Sequence, residues 1–417
     1  MRTAHRAAVT AAVAVGLVLA GCSNKANPGT GQGGGSAVKT DFGVTNTDIT
    51  LGALTDASGV FKNLGLGITH GSELWATDVN NAGGICGRQI KLIEKDHGYA
   101  TDKAIPLYGQ MHDDVLGMVQ LLGSPILAAL KTPITDEKVV SVPASWASTN
   151  LDSPSVLMVG ATYDVEQLNG LSFMQERGFV HDGDKIGHIY IDSEYGKNGL
   201  LGSQAYAKAH NLGLVPQKIT ATDTDMTAAI TSLKSQGVKA IALTTTPAQT
   251  ASALTQAKAQ GFDVPFIGNN PTFDPVLLST PAKDAFGKFY FVNGVVPFSA
   301  DLPAAKDVAA KYNAKFTDTP NIGVDFGYAS GLVWQSVLTT ACNDKDLTRQ
   351  GILNAVAKTK VDTRELAGHL DFSQPGQPSS RMSYIAQADA SVPGGITYVK
   401  PLFESPEATS YKTPFQK

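Results

Sequence analysis

Asp78-Val79-Asn80-Asn81-Ala82-Gly83-Gly84-Ile85-Cys86-Gly87-Arg88 is the stretch on which the reading of this chain turns. On its N-terminal side Leu64, Ile68, Gly71, Trp75 and Val79 recur at spacings of three and four, the period of an amphipathic helix. Gly83-Gly84 stops that helix, because glycine alone enters left-handed backbone without penalty. On its C-terminal side Gln89 to Ile93 reads as a strand. Before the helix, Ile49 to Leu54 reads as another. Strand, helix, glycine turn, strand is one βαβ unit, and its strands must run parallel.

The rhythm continues outward. Lys103 to His112 reads as a helix, Val115 to Leu122 as a strand, and a further helix starts near Pro125, with an interruption expected at Pro133, before the strand Val139 to Val142. After a break at Asn150 to Pro154 it restarts with helix 165–177 and strands at 186–191, 214–219, 240–243 and 265–268, separated by helices at 199–210, 226–236 and 248–260. So many parallel strands crowd a single open sheet, and two α/β lobes are the economical solution. The tail departs from the pattern. Helices are expected at 304–316, 326–340 and 347–357, then two strands, Met382 to Ala386 and Ile396 to Val399, that could pair across the junction between lobes.

Composition narrows the function. The 417 residues carry 33 Lys+Arg against 37 Asp+Glu, a formal charge of −4, which gives no electrostatic footing for nucleic acid. Apolar residues at 42% exclude global disorder. At the N-terminus Arg2 and Arg6 precede an uncharged, mostly apolar run from Ala7 to Ala20, the pattern of an export signal over residues 1–21. Leu19-Ala20-Gly21-Cys22 resembles the lipobox of bacterial lipoproteins, which implies a diacylated Cys22 as mature N-terminus; an ordinary signal peptide with a chance cysteine is the weaker alternative. Residues 22–47, rich in Gly, Ser and Asn, then read as a flexible linker from a membrane anchor. The expected location is the outer face of the cytoplasmic membrane.

In open parallel sheets, ligands bind beyond the carboxyl ends of the strands. Those ends here run into Asp56-Ala57-Ser58-Gly59-Val60-Phe61, Gly123-Ser124-Pro125, Pro143-Ala144-Ser145-Trp146, Asp192-Ser193-Glu194-Tyr195-Gly196, Thr244-Thr245-Thr246-Pro247 and Asn269-Asn270-Pro271. Hydroxyls, amides and aromatics gather there, several just before helices, where free N–H groups favour a carboxylate. Any single Ser or Thr at such a place is most often a helix cap; six loops in two lobes make the collective case. Catalysis has no comparable support. No Gly-x-Ser-x-Gly, His-Glu-x-x-His, Walker loop or Cys-x-x-Cys is present, and His70, His97 and His112 lack ligand spacing for a metal. No catalytic residue, metal or cofactor is expected.

The quoted stretch resembles the D-x-N-x-A-G-G-x-x-G-R segment of branched-chain amino-acid-type periplasmic binding proteins, and Gly123-Ser124, Pro143-Ala144-Ser145, Tyr195-Gly196 and Asp274-Pro275 follow in matching order. The resemblance runs from about Ile49 to Phe403. It implies a type I solute-binding protein of an ABC importer: an α/β chain of two Rossmann-like lobes joined by three crossovers and closing over a small solute, monomeric, with a membrane permease as partner. The lobes would comprise 48–150 plus about 300–375, and 151–299 plus about 376–403, with 404–417 as a tail. The family's ligand-contact positions fall on Ser124, Ala144, Ser145, Trp146, Tyr195 and Thr246; Phe61 and Asn270 join them from the loops above.

One departure bears on the solute. Amino-acid-binding members often carry an acidic residue where this chain has Asn270, and an amide does not neutralise an ammonium. A desolvated unpaired charge costs several kcal/mol. The expected ligand is a carboxylate or amide with apolar or aromatic bulk; a branched-chain amino acid fits only if another carboxylate reaches its ammonium. The family topology also brings Cys86 and Cys342 into one lobe, and an exported protein favours their pairing over two separate buried thiols. A subunit that senses a ligand for a signalling partner is the alternative function.

Overall fold

The computed structural model describes residues 38–416. The export signal, Cys22 and most of the expected linker lie outside them. The chain opens with β1 (Lys39–Thr40), β2 (Asp48–Thr55), α1 (Lys62–Asn81), β3 (Gln89–Asp96), α2 (Thr101–Met111), β4 (Gly117–Leu122), α3 (Ser124–Asp136) and β5 (Ser141–Ala144). Strands β2 to β5 form a parallel sheet in the order β3-β2-β4-β5. The stretch quoted above makes the first turn of this lobe. Asn80 ties the helix end to the strand, its Oδ1 accepting from Ile90 N–H at 2.7 Å and its Nδ2 donating to the Ile90 carbonyl at 2.9 Å. Gly84 sits at φ +77°, where a Cβ would come within 2.0 Å of the Arg88 carbonyl oxygen. No other residue fits there.

The second lobe follows with α4 (Tyr163–Glu176), β6 (Lys185–Ile191), α5 (Glu194–Ala209), β7 (Gly213–Ile219), α6 (Thr227–Gln236), β8 (Ala240–Thr244), α7 (Pro247–Ala259), β9 (Phe266–Asn269) and β10 (Phe289–Asn293). The chain then returns to the first lobe through α8 (Pro303–Lys315), α9 (Ile322–Asn343), β11 (Asp346–Leu347) and α10 (Arg349–Val356), adds a hairpin, β12 (Lys360–Asp362) with β13 (His369–Asp371), and crosses again to β14 (Ser383–Ala388), β15 (Ile396–Phe403) and α11 (Pro406–Ser410). The larger sheet has the order β15-β14-β10-β9-β8-β6-β7.

Several expectations need correction. β14 and β15 do not pair across the lobes; they form an antiparallel hairpin that extends the larger sheet from β10. β10 itself lacks a sequence forecast, because 3-10 turns over Pro275–Ser279 and Pro281–Lys288, not an α-helix, link it to β9. Pro133 does not interrupt α3, which runs on through it to Asp136. The linker 22–47 ends early: Lys39 and Thr40 pair in parallel with Asp346 and Leu347, and both Asp41 carboxylate oxygens accept from the Arg349 N–H at 3.1–3.2 Å. Residues 404–416 are docked rather than free, with Arg381 Nη1 donating to the carbonyls of Ala408 and Tyr411 at 2.8 and 2.9 Å.

The first lobe is held by α1 against α9 at backbone contact. A Cβ on Gly71 would lie 2.0 Å from the Val324 carbonyl, one on Gly327 2.1 Å from the Ile68 carbonyl, and one on Gly331 2.1 Å from the Trp75 ring. A disulfide between Cys86 and Cys342, Cα atoms 6.0 Å apart, joins the ends of the same two helices across 256 residues of sequence. Closing so long a loop is worth up to about 5 kcal/mol in the chain-entropy picture. Gly71→Ala is expected to lower the unfolding free energy by about 1–3 kcal/mol, the usual cost of overpacking. Urea unfolding of the oxidised protein measures it, and an unchanged midpoint would contradict the contact.

Candidate functional site

The carboxyl ends of both sheets face one cleft, as the strand-end rule requires. From the first lobe come Phe61 and Leu64 at the start of α1, Tyr99 after β3, Leu122-Gly123-Ser124 at the β4–α3 junction, and Ala144 at the end of β5. From the second come Tyr163 on α4, Tyr195 on α5 and Pro271 after β9. The cavity they line has a volume of about 10 Å³, room for roughly one water. Any solute must therefore enter with the lobes apart.

Polarity is concentrated at one wall. Gly123, at φ +109°, turns the chain from β4 into α3, and a Cβ there would meet the Tyr99 ring at 2.9 Å. The first turn of α3 has no side-chain cap, so its open N–H groups keep their attraction for an anion. Ser145 Oγ donates to Ser124 Oγ at 2.8 Å, and Tyr163 lines the same cavity as Ser124. Burial pushes the hydroxyls of Tyr99, Tyr163 and Tyr195 well up from the ordinary tyrosine range, so all three stay neutral. The single Tyr195 hydroxyl proton is shared between Asn269 Oδ1 and the Thr245 carbonyl, both at 3.2 Å. Its ring meets Tyr163 edge-on at 4.7 Å, and Phe61 meets Tyr99 the same way at 4.8 Å. The result is an aromatic box with hydroxyls and a helix N-terminus at one end.

Of the residues singled out from sequence, Phe61, Ser124, Ala144 and Tyr195 line the cavity, and Ser145 stands directly behind Ser124. Trp146 stands one layer back. Its Nε1 donates to the Val159 carbonyl at 2.7 Å, and its ring lies between Phe326 and Tyr163, at 4.9 and 6.0 Å. Thr246 caps α7 in a reciprocal capping box with Gln249. Asn270 directs its N–H to Glu166 Oε2 at 3.3 Å, while the next residue, Pro271, reaches the cavity. Tyr99 escaped the sequence reading although it follows a strand end, β3, that the same rule covers. Tyr163 had no such signal, because it enters from a crossover helix.

The model of the periplasmic binding protein family matches residues 48–393. The chain belongs to that family. The solved structure of a fatty acid ABC transporter substrate-binding protein from Thermomonospora curvata is 36% identical, with a TM-score of 0.88 over 91% of this chain and 98% of that one. At 15% identity the fold alone is shared with a valine-bound branched-chain amino acid ABC transporter protein from Thermus thermophilus, TM-score 0.76, covering 88% of this chain and 98% of that one. The isoleucine-bound substrate-binding protein of a branched-chain amino acid transporter from Streptococcus pneumoniae, 21% identical, covers 85% and 100% with a TM-score of 0.71. Comparison with curated proteins finds no match. The protein is thus a substrate-binding protein of an ABC transporter, a carrier of small solutes and not an enzyme. Among the described residues no helix is long and apolar enough to cross a membrane.

Two buried carboxyl groups of the binding protein stand behind the cavity wall: Asp56, which accepts from the Phe61 N–H at 2.9 Å, and Glu166. Desolvation pushes the Glu166 carboxyl well above the ordinary range despite the N–H groups of Asn270 and Gly294. A carboxyl with a raised folded-state pKa takes up a proton on folding. Its contribution is fully present below the unfolded value near 4.5 and is lost as pH rises through the folded value. Glu166→Gln should therefore match the parent protein near pH 4.5 and equal or exceed its stability at pH 8. Thermal unfolding across that range tests it; a variant weaker at pH 8 than at pH 4.5, relative to the parent, would refute the assignment.

Proposed function

We propose that this binding protein captures an apolar monocarboxylate, of fatty-acid type, and delivers it to a membrane permease. The observation that carries this reading is the lining of the cleft: aromatic and aliphatic walls, hydroxyls and a helix N-terminus at one end, and no acidic side chain among the lining residues. A carboxylate would receive hydrogen bonds from Ser124, whose Oγ is held by Ser145, from Tyr163 and from the first turn of α3. An α-ammonium would meet aromatic rings, with Glu166 pushed toward its neutral form by burial and accepting from the Asn270 N–H. Leaving that charge unpaired costs several kcal/mol. The likeness to the Thermomonospora fatty acid carrier, at 36% identity, supports the same ligand class. Trp146, Thr246 and Asn270 act here as supports of the lining, not as contacts.

Calorimetry decides between solutes. Decanoate or a longer saturated acid should bind with a negative heat-capacity change, the mark of buried apolar surface. Leucine should bind far more weakly. Ser124→Ala should weaken the acid about tenfold or more, since hydrogen bonds to a charged group are worth about 1.5–3 kcal/mol. Leucine binding more tightly than every acid tested would overturn the proposal.

The same reading places the carrier on the membrane through Cys22. Support comes from the lipobox-like Leu19-Ala20-Gly21-Cys22 and from two acyl chains sufficing for stable anchorage. Cys22→Ala is expected to release the protein from the membrane fraction of expressing bacteria; retention equal to the parent would reject the anchor.

A further inference from the structure

Asn63 and Asp274 belong to different lobes and are 211 residues apart in sequence, yet Asn63 Nδ2 donates to Asp274 Oδ2 at 2.9 Å. Asn63 stands in the first turn of α1, between the cavity-lining residues Phe61 and Leu64. Asp274 lies three positions beyond the lining residue Pro271. The bond therefore borders the cavity itself. Two of the other side-chain links between the lobes, Ser148 N–H to Asn198 Oδ1 at 3.2 Å and Thr149 to Glu194, spring from the first crossover, and a third, Tyr384 Oη to the Glu365 carbonyl at 2.8 Å, joins β14 to the β12–β13 hairpin. Neither Asn63 nor Asp274 lies on a crossover. Both are held in place by their own lobes. The Asn63 carbonyl accepts from Asn321 Nδ2 at 2.8 Å, and the second Asp274 oxygen accepts from Val276 N–H at 2.9 Å, capping the turn that follows β9.

We infer that the Asn63–Asp274 hydrogen bond is a latch across the cleft, a pair of positioning residues that sets how far the closed state is populated and how fast a captured solute escapes. A hinge rotation that separates the lobes breaks this bond, whereas the bonds each residue makes within its own lobe survive. Its whole worth therefore counts toward the closed state, and a solute bound between the lobes is released no faster than the latch opens. This holds whatever the solute is, so it stands apart from the proposed ligand class.

The test uses the full folded domain without added solute, and exchanges the partners. Asn63→Asp faces one carboxylate with another. The double exchange Asn63→Asp with Asp274→Asn restores one donor and one acceptor with the polarity reversed, and an asparagine at 274 retains an oxygen for Val276 N–H. Lobe separation is read by electron–electron resonance between spin labels at the exposed positions Ile105 and Val399, one in each lobe. Asn63→Asp should shift the closed-to-open ratio toward open by about tenfold or more, and the double exchange should return it toward the parent value. Asn63→Ala should give an intermediate shift, and because alanine favours the helix it also controls for misfolding. The latch is refuted if Asn63→Asp leaves the distance distribution unchanged, or if the double exchange stays as open as the single variant. A positioning role in one lobe alone would not produce the rescue.

Discussion

Backbone contact between α1 and α9 is the constraint on which the rest of the molecule depends. Gly71, Gly327 and Gly331 let the two helices approach until main-chain atoms and the Trp75 ring touch. Because α9 follows α4 to β10 of the second lobe in sequence, this contact draws the returning chain into the first lobe. The disulfide from Cys86 to Cys342 secures the far end of the same pair. From α9 the order propagates to the site. Phe326 packs on Trp146, Trp146 on Tyr163, and Tyr163 lines the cavity with Ser124 at the start of α3. Each member of that series is buried, so a displacement at one end has no free volume to absorb it.

The chemistry of the cleft follows from what burial does to polar groups. Tyrosine hydroxyls raised far above neutrality donate and accept without carrying charge, and Glu166 is pushed toward its neutral form. What remains to attract a ligand is directional and weakly positive: open N–H groups at α3, hydroxyls at Ser124 and Ser145, and aromatic edges. Such a surface suits one negative charge joined to apolar bulk. It also explains how a chain with little net charge can be selective, since discrimination arises inside the cleft and not from the field around the protein.

Much of this was legible in the sequence. The βα rhythm from Asp48 to Asn269 could be read because strands such as β4 and β8 are short apolar runs and helices such as α1 keep a 3.6-residue period. Element starts were less legible. α5 begins at Glu194, five residues before its periodic stretch, because Ser193 caps it by accepting from Gly196 N–H, and this places Tyr195 inside the first helical turn. Asn321 does the same for α9, accepting from Gly323 N–H. β10 is not legible although Phe289 to Asn293 is wholly buried, since only 3-10 turns and no α-helix lead into it to announce another βα unit.

The sequence by itself determined the alternation of strands and helices, the glycine turn at Gly83-Gly84, and the gathering of hydroxyls and aromatics at strand ends, because each of these depends on neighbours within a few positions. Tertiary structure alone decided which of those residues share a cavity. Tyr163 and Pro271 arrive from a crossover helix and from the loop after β9, Trp146 turns its ring behind the lining, and Asn63 meets Asp274 across the cleft. Those outcomes hang on how two lobes, built from segments hundreds of residues apart, are set against each other. Local propensity carries no record of that arrangement, which is fixed by packing at α1 and α9 and by the route of the three crossovers.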